Sequence, residues 1–157
     1  DEFLVSDAGT IKRIDYSLIK GSAAILQVVV ATTSTETTST SSTFADTSLT
    51  AAITPSATSS KILVMVDHPG TFISASSQVG LKLFKGSTEL DSQRYVLDTN
   101  DSTRQHGSIS ITYLDSPSST SELTYKTQFN NEQSSGNVVV QKGNNLSTIT
   151  LMEIAGW

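Results

Sequence analysis

Apolar residues along this chain alternate with polar ones or gather in short runs. Ser, Thr, Gly, Asn and Asp separate the runs. Val79, Leu81 and Leu83 alternate with Gly80, Lys82 and Phe84; Ile109, Ile111 and Tyr113 with Ser108, Ser110 and Thr112; Leu123, Tyr125, Thr127 and Phe129 with Thr124, Lys126 and Gln128. A period of two places successive side chains on opposite faces of a strand, and β-branched residues between short turns give the all-β signature. No stretch repeats apolar residues at i, i+3, i+4 and i+7 over ten or more good helix formers.

Read in order, the pattern predicts a small hairpin, Phe3–Ser6 and Thr10–Ile14, around Asp7-Ala8-Gly9, where glycine tolerates positive φ. Tyr16, Leu18 and Ile19 lead to a hinge at Lys20-Gly21-Ser22. Ile25–Ala31 and Lys61–Asp67 are apolar on both faces, as strands covered on both sides are. The Ser/Thr tract 32–43 reads as a loop or a long edge segment. His68-Pro69-Gly70 is expected to end the Lys61 strand. Gln78–Phe84 and Thr88–Val96 form a hairpin about Gly86. A short strand carries Val138-Val139-Val140, and Ser147–Ala155 closes the chain. The fold class expected is all-β: a jelly-roll sandwich of about eight to ten antiparallel strands behind the hairpin. The domain division is 1–21 and 22–157.

Composition narrows the function classes. The 157 residues include no Cys, which removes disulfide, thiolate-metal and cysteine-nucleophile chemistry. Ser and Thr supply roughly three residues in ten, while charged residues are 16%. A net charge of −5 argues against nucleic acid as a partner. No run approaches the ~18 apolar residues of a membrane span, so membrane insertion is not expected, and no basic-then-apolar signal opens the chain. The first residue is Asp1, in a stretch of strand character, so an upstream region is expected.

Candidate chemistry is sparse. His68 and His106 are read as a turn and a loop histidine, with no spacing that suits one cation. Asp98, Asn100 and Asp101 form the best calcium-like cluster, although the Gly and Glu of an EF-hand are missing. Glu89 and Asp91 would share one strand face at a glycosidase-compatible separation, a pair that also suits a solvated surface. No nucleophile elbow or phosphate loop is present. No catalytic residue, resident metal or cofactor is assigned. Tyr16, Tyr95, Tyr113, Tyr125 and Trp157 are the aromatic positions open to a sugar-stacking role. The preferred reading makes Ile25, Val28 and Val30 packing residues between subunits, Tyr113 and Tyr125 core or intersubunit packing residues, and Trp157 a plug at an oligomer axis or a cap on a strand end. Strands apolar on both faces need a second cover, and closed homo-oligomers supply one. Loops 32–47, 68–77, 97–107 and 130–136 are the contact candidates, because loops on a rigid sandwich carry function.

A series of strings adds a resemblance. Ile25-Leu26-Gln27-Val28-Val29, Ile53-Thr54-Pro55-Ser56-Ala57-Thr58-Ser59-Ser60-Lys61-Ile62, Leu83-Phe84-Lys85-Gly86-Ser87-Thr88 and Tyr113-Leu114-Asp115-Ser116-Pro117 occur in one order. Thr124-Tyr125-Lys126 and Ser147-Thr148-Ile149-Thr150-Leu151-Met152-Glu153-Ile154 follow. Over residues 24–157 the series resembles the C-terminal head domains of fibre and appendage proteins of tailed bacteriophages, marine ones especially. Those heads are similar in pattern to the tumour-necrosis-factor and complement-head jelly rolls. The resemblance implies a homotrimer without enzyme activity at the virion surface. Residues 1–21 or an upstream region would join it to other virion proteins, and a host-surface glycan or protein is the implied partner. The alternative is a capsid decoration or extracellular filament subunit that donates its N-terminal strand.

Overall fold

The computed structural model describes residues 2–15, 24–100, 102–133 and 135–156. Strands β1 (Glu2–Asp7) and β2 (Thr10–Asp15) pair antiparallel along their whole length as a separate two-stranded sheet. Ten strands follow: β3 (Ile25–Thr33), β4 (Thr37–Ser39), β5 (Ala45–Ile53), β6 (Lys61–Ser74), β7 (Gln78–Lys85), β8 (Thr88–Asp98), β9 (Arg104–Asp115), β10 (Leu123–Asn131), β11 (Asn137–Val140) and β12 (Ser147–Ile154). The hinge at 20–22, with Tyr16, Leu18 and Ile19, lies outside the described residues, as do Asp101 and Trp157.

One sheet has the order β5-β10-β7-β8; in the other β3, β12, β6 and β9 lie side by side, with β11 and β4 continuing from the far half of β6. Every pairing is antiparallel, and the chain passes back and forth between the sheets, as in a jelly roll. The protein is therefore an all-β sandwich, as its alternation predicts.

The inward positions of both sheets make one core. Leu49 and Ile53 of β5, Ile62, Val64 and Val66 of β6, Leu81 and Leu83 of β7, Ile109 and Ile111 of β9, Tyr125 and Phe129 of β10, and Ile149 and Leu151 of β12 are all buried there. The two sheets are also tied by polar groups. Asp115, at the end of β9, accepts from the Tyr125 hydroxyl (2.7 Å) and from Lys85 Nζ (2.7 Å), both on the opposite sheet. Burial, and then the bond to Asp115, push the Tyr125 phenol well above its ordinary range.

Several expectations change. His68-Pro69-Gly70 does not end a strand: β6 runs on to Ser74, its register to β9 shifting between Pro69 and Thr71. Proline has no N–H for the ladder, and Gly70, at φ 69°, absorbs the irregularity. Loop 68–77 therefore shrinks to residues 75–77. Part of the Ser/Thr tract is edge structure, since β3 extends to Thr33 and β4 (Thr37–Ser39) pairs with β11. Strand β9 starts at Arg104, which shortens loop 97–107 to residues 99–103. Likewise β10 reaches Asn131, which shortens loop 130–136 to 132–136.

Candidate functional site

The outer faces of the two sheets differ in chemistry. On the larger sheet, register places Val28 (β3), Met152 (β12), Leu63 (β6) and Leu114 (β9) on one line across four strands. The adjoining lines are Val30, Thr150, Met65 and Thr112 on one side, and Ile25, Ile154 and Lys61 on the other. Thr32, Thr148, Asp67 and Ser110 lie beyond. An apolar band thus crosses the sheet from edge to edge, bordered by Lys61 and by Asp67. Ile25 is 61% exposed, Val28 50%, Val30 59% and Leu114 47%. Single exposed apolar residues are ordinary; a contiguous patch marks an interaction surface.

The packing candidates divide accordingly. Ile25, Val28 and Val30 stand on this band. Tyr113 and Tyr125 do not. Tyr125 is fully buried in the core of its own chain, and Tyr113 packs inward against that core. Parity explains it: 109, 111 and 113 of β9 face inward, so Leu114, which the sequence reading did not single out, takes the outer position.

The smaller sheet has a charged and polar outer face. Lys82 Nζ lies 2.6 Å from Glu89 Oε2, Lys126 Nζ lies 2.9 Å from Asp46 Oδ1, and Arg94 grips Glu132 through two guanidinium nitrogens. Lys82, Glu89, Ser92, Arg94, Asn130 and Glu132, with Ser42 and Phe44 above them, enclose an open depression of about 480 Å³. The size falls within the range of small-ligand sites. Asn130 and Glu132 pack against the buried Gly80 of β7, where a Cβ would collide with Asn130 Oδ1 and Glu132 Oε1. Asn130 is 3% exposed; its Nδ2 donates to Ser42 O at 2.8 Å, while its Oδ1 is buried without a hydrogen-bond partner.

The paired-carboxylate reading fails on a bulge. Register slips between Leu83 and Phe84, so Asp91 lies opposite the inward Leu83 and Glu89 opposite the outward Phe84. The two carboxylates therefore face opposite sides of the sheet. Asp91 accepts from Gln93 at 2.9 Å, and Glu89 pairs with Lys82.

All four predicted contact loops, trimmed as above, meet at one end of the sandwich beside this depression. Asn131 N donates to Ser41 O (2.9 Å), Thr99 N to Ser77 O (3.1 Å) and Glu132 N to Gln78 O (2.8 Å). The Ser77 hydroxyl donates to Ser135 O (2.7 Å) and Gln133 Nε2 to Asn100 Oδ1 (3.5 Å). Asp98 uses its backbone carbonyl to accept from Gln105 at 2.9 Å. Among the described residues no group of three His, Cys, Asp or Glu gathers as a metal set.

His68 is neither in a turn nor exposed. It is fully buried on the inward face of β6, with Thr127 Oγ1 3.0 Å from Nε2 and Ser147 Oγ 3.0 Å from Nδ1. With its amide oriented to satisfy the network, Gln141 offers Oε1 to Nδ1 at 3.0 Å and donates to the backbone oxygens of Val140 and Thr35. Thr127 Oγ1 is in turn 2.5 Å from Thr47 Oγ1. Burial pushes the ring down to about 4, against a weaker opposing pull from Asp67. His106 is exposed on β9, its ring centroid 4.8 Å from that of Phe72.

Glu153 is another buried ionisable group that the sequence does not disclose. Its carboxylate accepts from Gln27 Nε2 (2.6 Å) and from both the amide and the hydroxyl of Ser56 (2.7 Å each). Burial would raise its pKa, but Ser60, Gln27 and Ser56 outweigh that and hold it at about 2. The Pro55–Ser60 turn is thereby fastened to β12.

No protein-family model and no curated protein matches the chain. Among solved structures it is similar to infectious bursal disease virus of the Gx strain, at 14% identity and a TM-score of 0.41, over 97% of this chain and 40% of that one. The Gt strain gives 12% identity and 0.38 over 97% and 41%, and the virus's VP2 subviral particle 10% and 0.31 over 99% and 45%. The chain thus spans less than half the length of each. No described helix is long and apolar enough to cross a membrane.

Proposed function

We propose that this chain is a structural subunit of a virion appendage, the head domain of a bacteriophage fibre, displayed outside the particle for host attachment. It assembles with copies of itself through the outer face of the larger sheet. The observation that carries the reading is the line Val28–Met152–Leu63–Leu114, an uncharged surface from one sheet edge to the other. A lone sandwich keeps its outer faces polar, as the smaller sheet does here. A second copy suits the band because closed homo-oligomers are the usual cover for an apolar face. Three copies is the number implied by the resemblance to fibre heads.

The assembly leaves the smaller sheet and the gathered loops facing outward, where a host surface would be met. Strand exchange by the N-terminal segment is less favoured, because β1 and β2 already pair with each other over six residues each. The test is the mass of the intact chain in solution at micromolar concentration. A closed oligomer is expected; a monomer would contradict the proposal.

A further inference from the structure

We infer that a second depression, on the outer side of the larger sheet, is a binding site for a singly charged oxyanion group, a carboxylate or a sulfate ester. The inference goes beyond the attachment reading and holds whether or not the protein assembles. Register builds the site on two cross-strand lines: Asn137 (β11), Ser74 (β6) and Arg104 (β9), then Val139, Phe72 and His106. The neighbours Ile73 and Val138 belong to the core, so both lines lie on the outer side. Phe72, Ser74, Arg104, His106, Asn137 and Lys142 enclose about 350 Å³, within the range of small-ligand sites. The place lies beyond the Asp67 border of the apolar band. Along β9, Leu114 and His106 are about 27 Å apart at the rise of a strand. Ser74, Arg104 and Asn137 are end residues of their strands, next to loops 75–77, 99–103 and 132–136.

Charge selects the ligand. The lining holds Arg104, His106 and Lys142 and no carboxylate, in a chain of net charge −5. Cations on the smaller sheet have their anions: Lys82 has Glu89, Lys126 has Asp46 and Arg94 has Glu132. Lys142 Nζ has Glu36 at 2.9 Å, and Glu36 also accepts from Gly143 N at 3.0 Å. Arg104 differs. Opposite it in register stands Ser74, and its guanidinium has no hydrogen bond or ion pair among the described residues. One uncompensated positive charge is left, which suits a monoanion better than a phosphate monoester carrying nearly two charges. The hydrogen-bond inventory has the same sign. The Ser74 hydroxyl donates to Asn137 Oδ1 and so occupies the amide's acceptor. Asn137 Nδ2, the fork of Arg104 and the remaining Lys142 protons are donors left over among the described residues, and exposed His106 adds a ring N–H. A carboxylate or sulfate accepts from several donors at once and meets a guanidinium through two parallel bonds. Phe72, 8% exposed, supports these groups from beneath: its ring centroid is 4.8 Å from that of His106 and 5.7 Å from Lys142 Nζ.

The test uses the full chain and its two histidines, His68 buried and His106 exposed. Their ring resonances are followed by NMR at pH 7 and constant ionic strength during titration with glucuronate, glucose 6-sulfate and glucose. Saturable movement of the His106 signals is expected with both anions, with a dissociation constant on the order of millimolar, and none with glucose. The His68 signals stay in place and report an intact fold. Arg104→Gln, an exposed position, should weaken both titrations about tenfold or more. Lys126→Gln removes the same charge from the other sheet and should bind like the parent. An equal response to glucose, movement without saturation, an unchanged titration in Arg104→Gln, or equal weakening in Lys126→Gln would overturn the inference. Oligoglucuronate compared with glucuronate at equal uronate concentration separates the sources: tighter binding assigns the group to a polymer, equal binding to a free small anion. A monomer that binds the anions leaves this inference standing and defeats the assembly reading; an oligomer that binds neither does the reverse.

Discussion

Val28 and Leu114 occupy opposite edge regions of the larger sheet, yet they lie on a single cross-strand line, joined through Met152 and Leu63. Both project outward, 50% and 47% exposed. Sheets that face water on one side normally alternate apolar inside with polar outside. On this face the charged positions, Lys61 and Asp67, are displaced to the borders.

A charge on that line should separate assembly from folding. Leu114→Asp or Val28→Asp removes an exposed apolar side chain without opening a cavity in the core. Stability of the isolated chain should change by no more than about 0.5 kcal/mol, as for ordinary surface substitutions. The oligomer should dissociate, because a charge at the centre of an apolar interface has no partner there. Sedimentation with parallel circular dichroism checks both halves. An unchanged mass in both variants would remove the band from the interface.

The His68 network predicts a loss of stability in mild acid. The unfolded ring titrates near 6.5 and the folded one at about 4. Between those values the folded state binds fewer protons, so the contribution is complete above about pH 6.5 and declines as pH falls toward 4. The full difference is on the order of 3 kcal/mol. Urea unfolding at pH 7 and pH 4.5 measures it. In His68→Gln, which keeps hydrogen-bonding capacity without a titrating ring, the difference should shrink; equal pH dependence in parent and variant would refute the assignment.

Glu153 acts lower on the pH scale. Its folded pKa, about 2, lies below its ordinary value of 4.5. Its contribution is therefore complete above 4.5 and lost as pH falls toward 2. Glu153→Ala leaves the Gln27 amide and the Ser56 amide and hydroxyl without their acceptor. A loss of about 2–4 kcal/mol at pH 7 is expected, with the Pro55–Ser60 turn loosening first in hydrogen exchange.

The inter-sheet contact of Asp115 yields a graded pair. Tyr125→Phe removes only the hydroxyl and should cost about 1–2 kcal/mol. Asp115→Ala leaves both Tyr125 and Lys85 unmatched and should cost more, about 3 kcal/mol or above. Chemical denaturation ranks the two. The reverse order would mean that the Tyr125 hydroxyl has another acceptor.

Much of this was legible in the chain. Strict alternation disclosed β7, β9, β10 and β12, and the doubly apolar runs at Ile25–Ala31 and Lys61–Asp67 pointed to a face that needs a cover. What escaped has physical reasons. A proline and a glycine in sequence suggest a strand end, but a bulge lets β6 pass through both. A one-residue slip at Leu83/Phe84 reverses the face of Glu89 relative to Asp91, and a period-two reading cannot see it. The buried networks of His68 and Glu153 are not legible because their partners are distant in sequence: Thr127 is 59 residues from His68, and Gln27 126 from Glu153. The depression draws its lining from separate segments that meet only in the folded sheet. The loop candidates could be located in the chain because turns between alternating strands are legible even where their exact limits are not.

The most direct test uses the absence of cysteine. A single thiol introduced as Leu114→Cys reports on the apolar band, and one introduced as Thr88→Cys reports on the opposite sheet. Maleimide labelling of the intact protein should be slow at position 114 and fast at position 88. Dilution or mild denaturant that dissociates the oligomer should make the two rates equal. If position 114 labels as fast as position 88 in the undissociated protein, the outer face of the larger sheet is not the assembly surface.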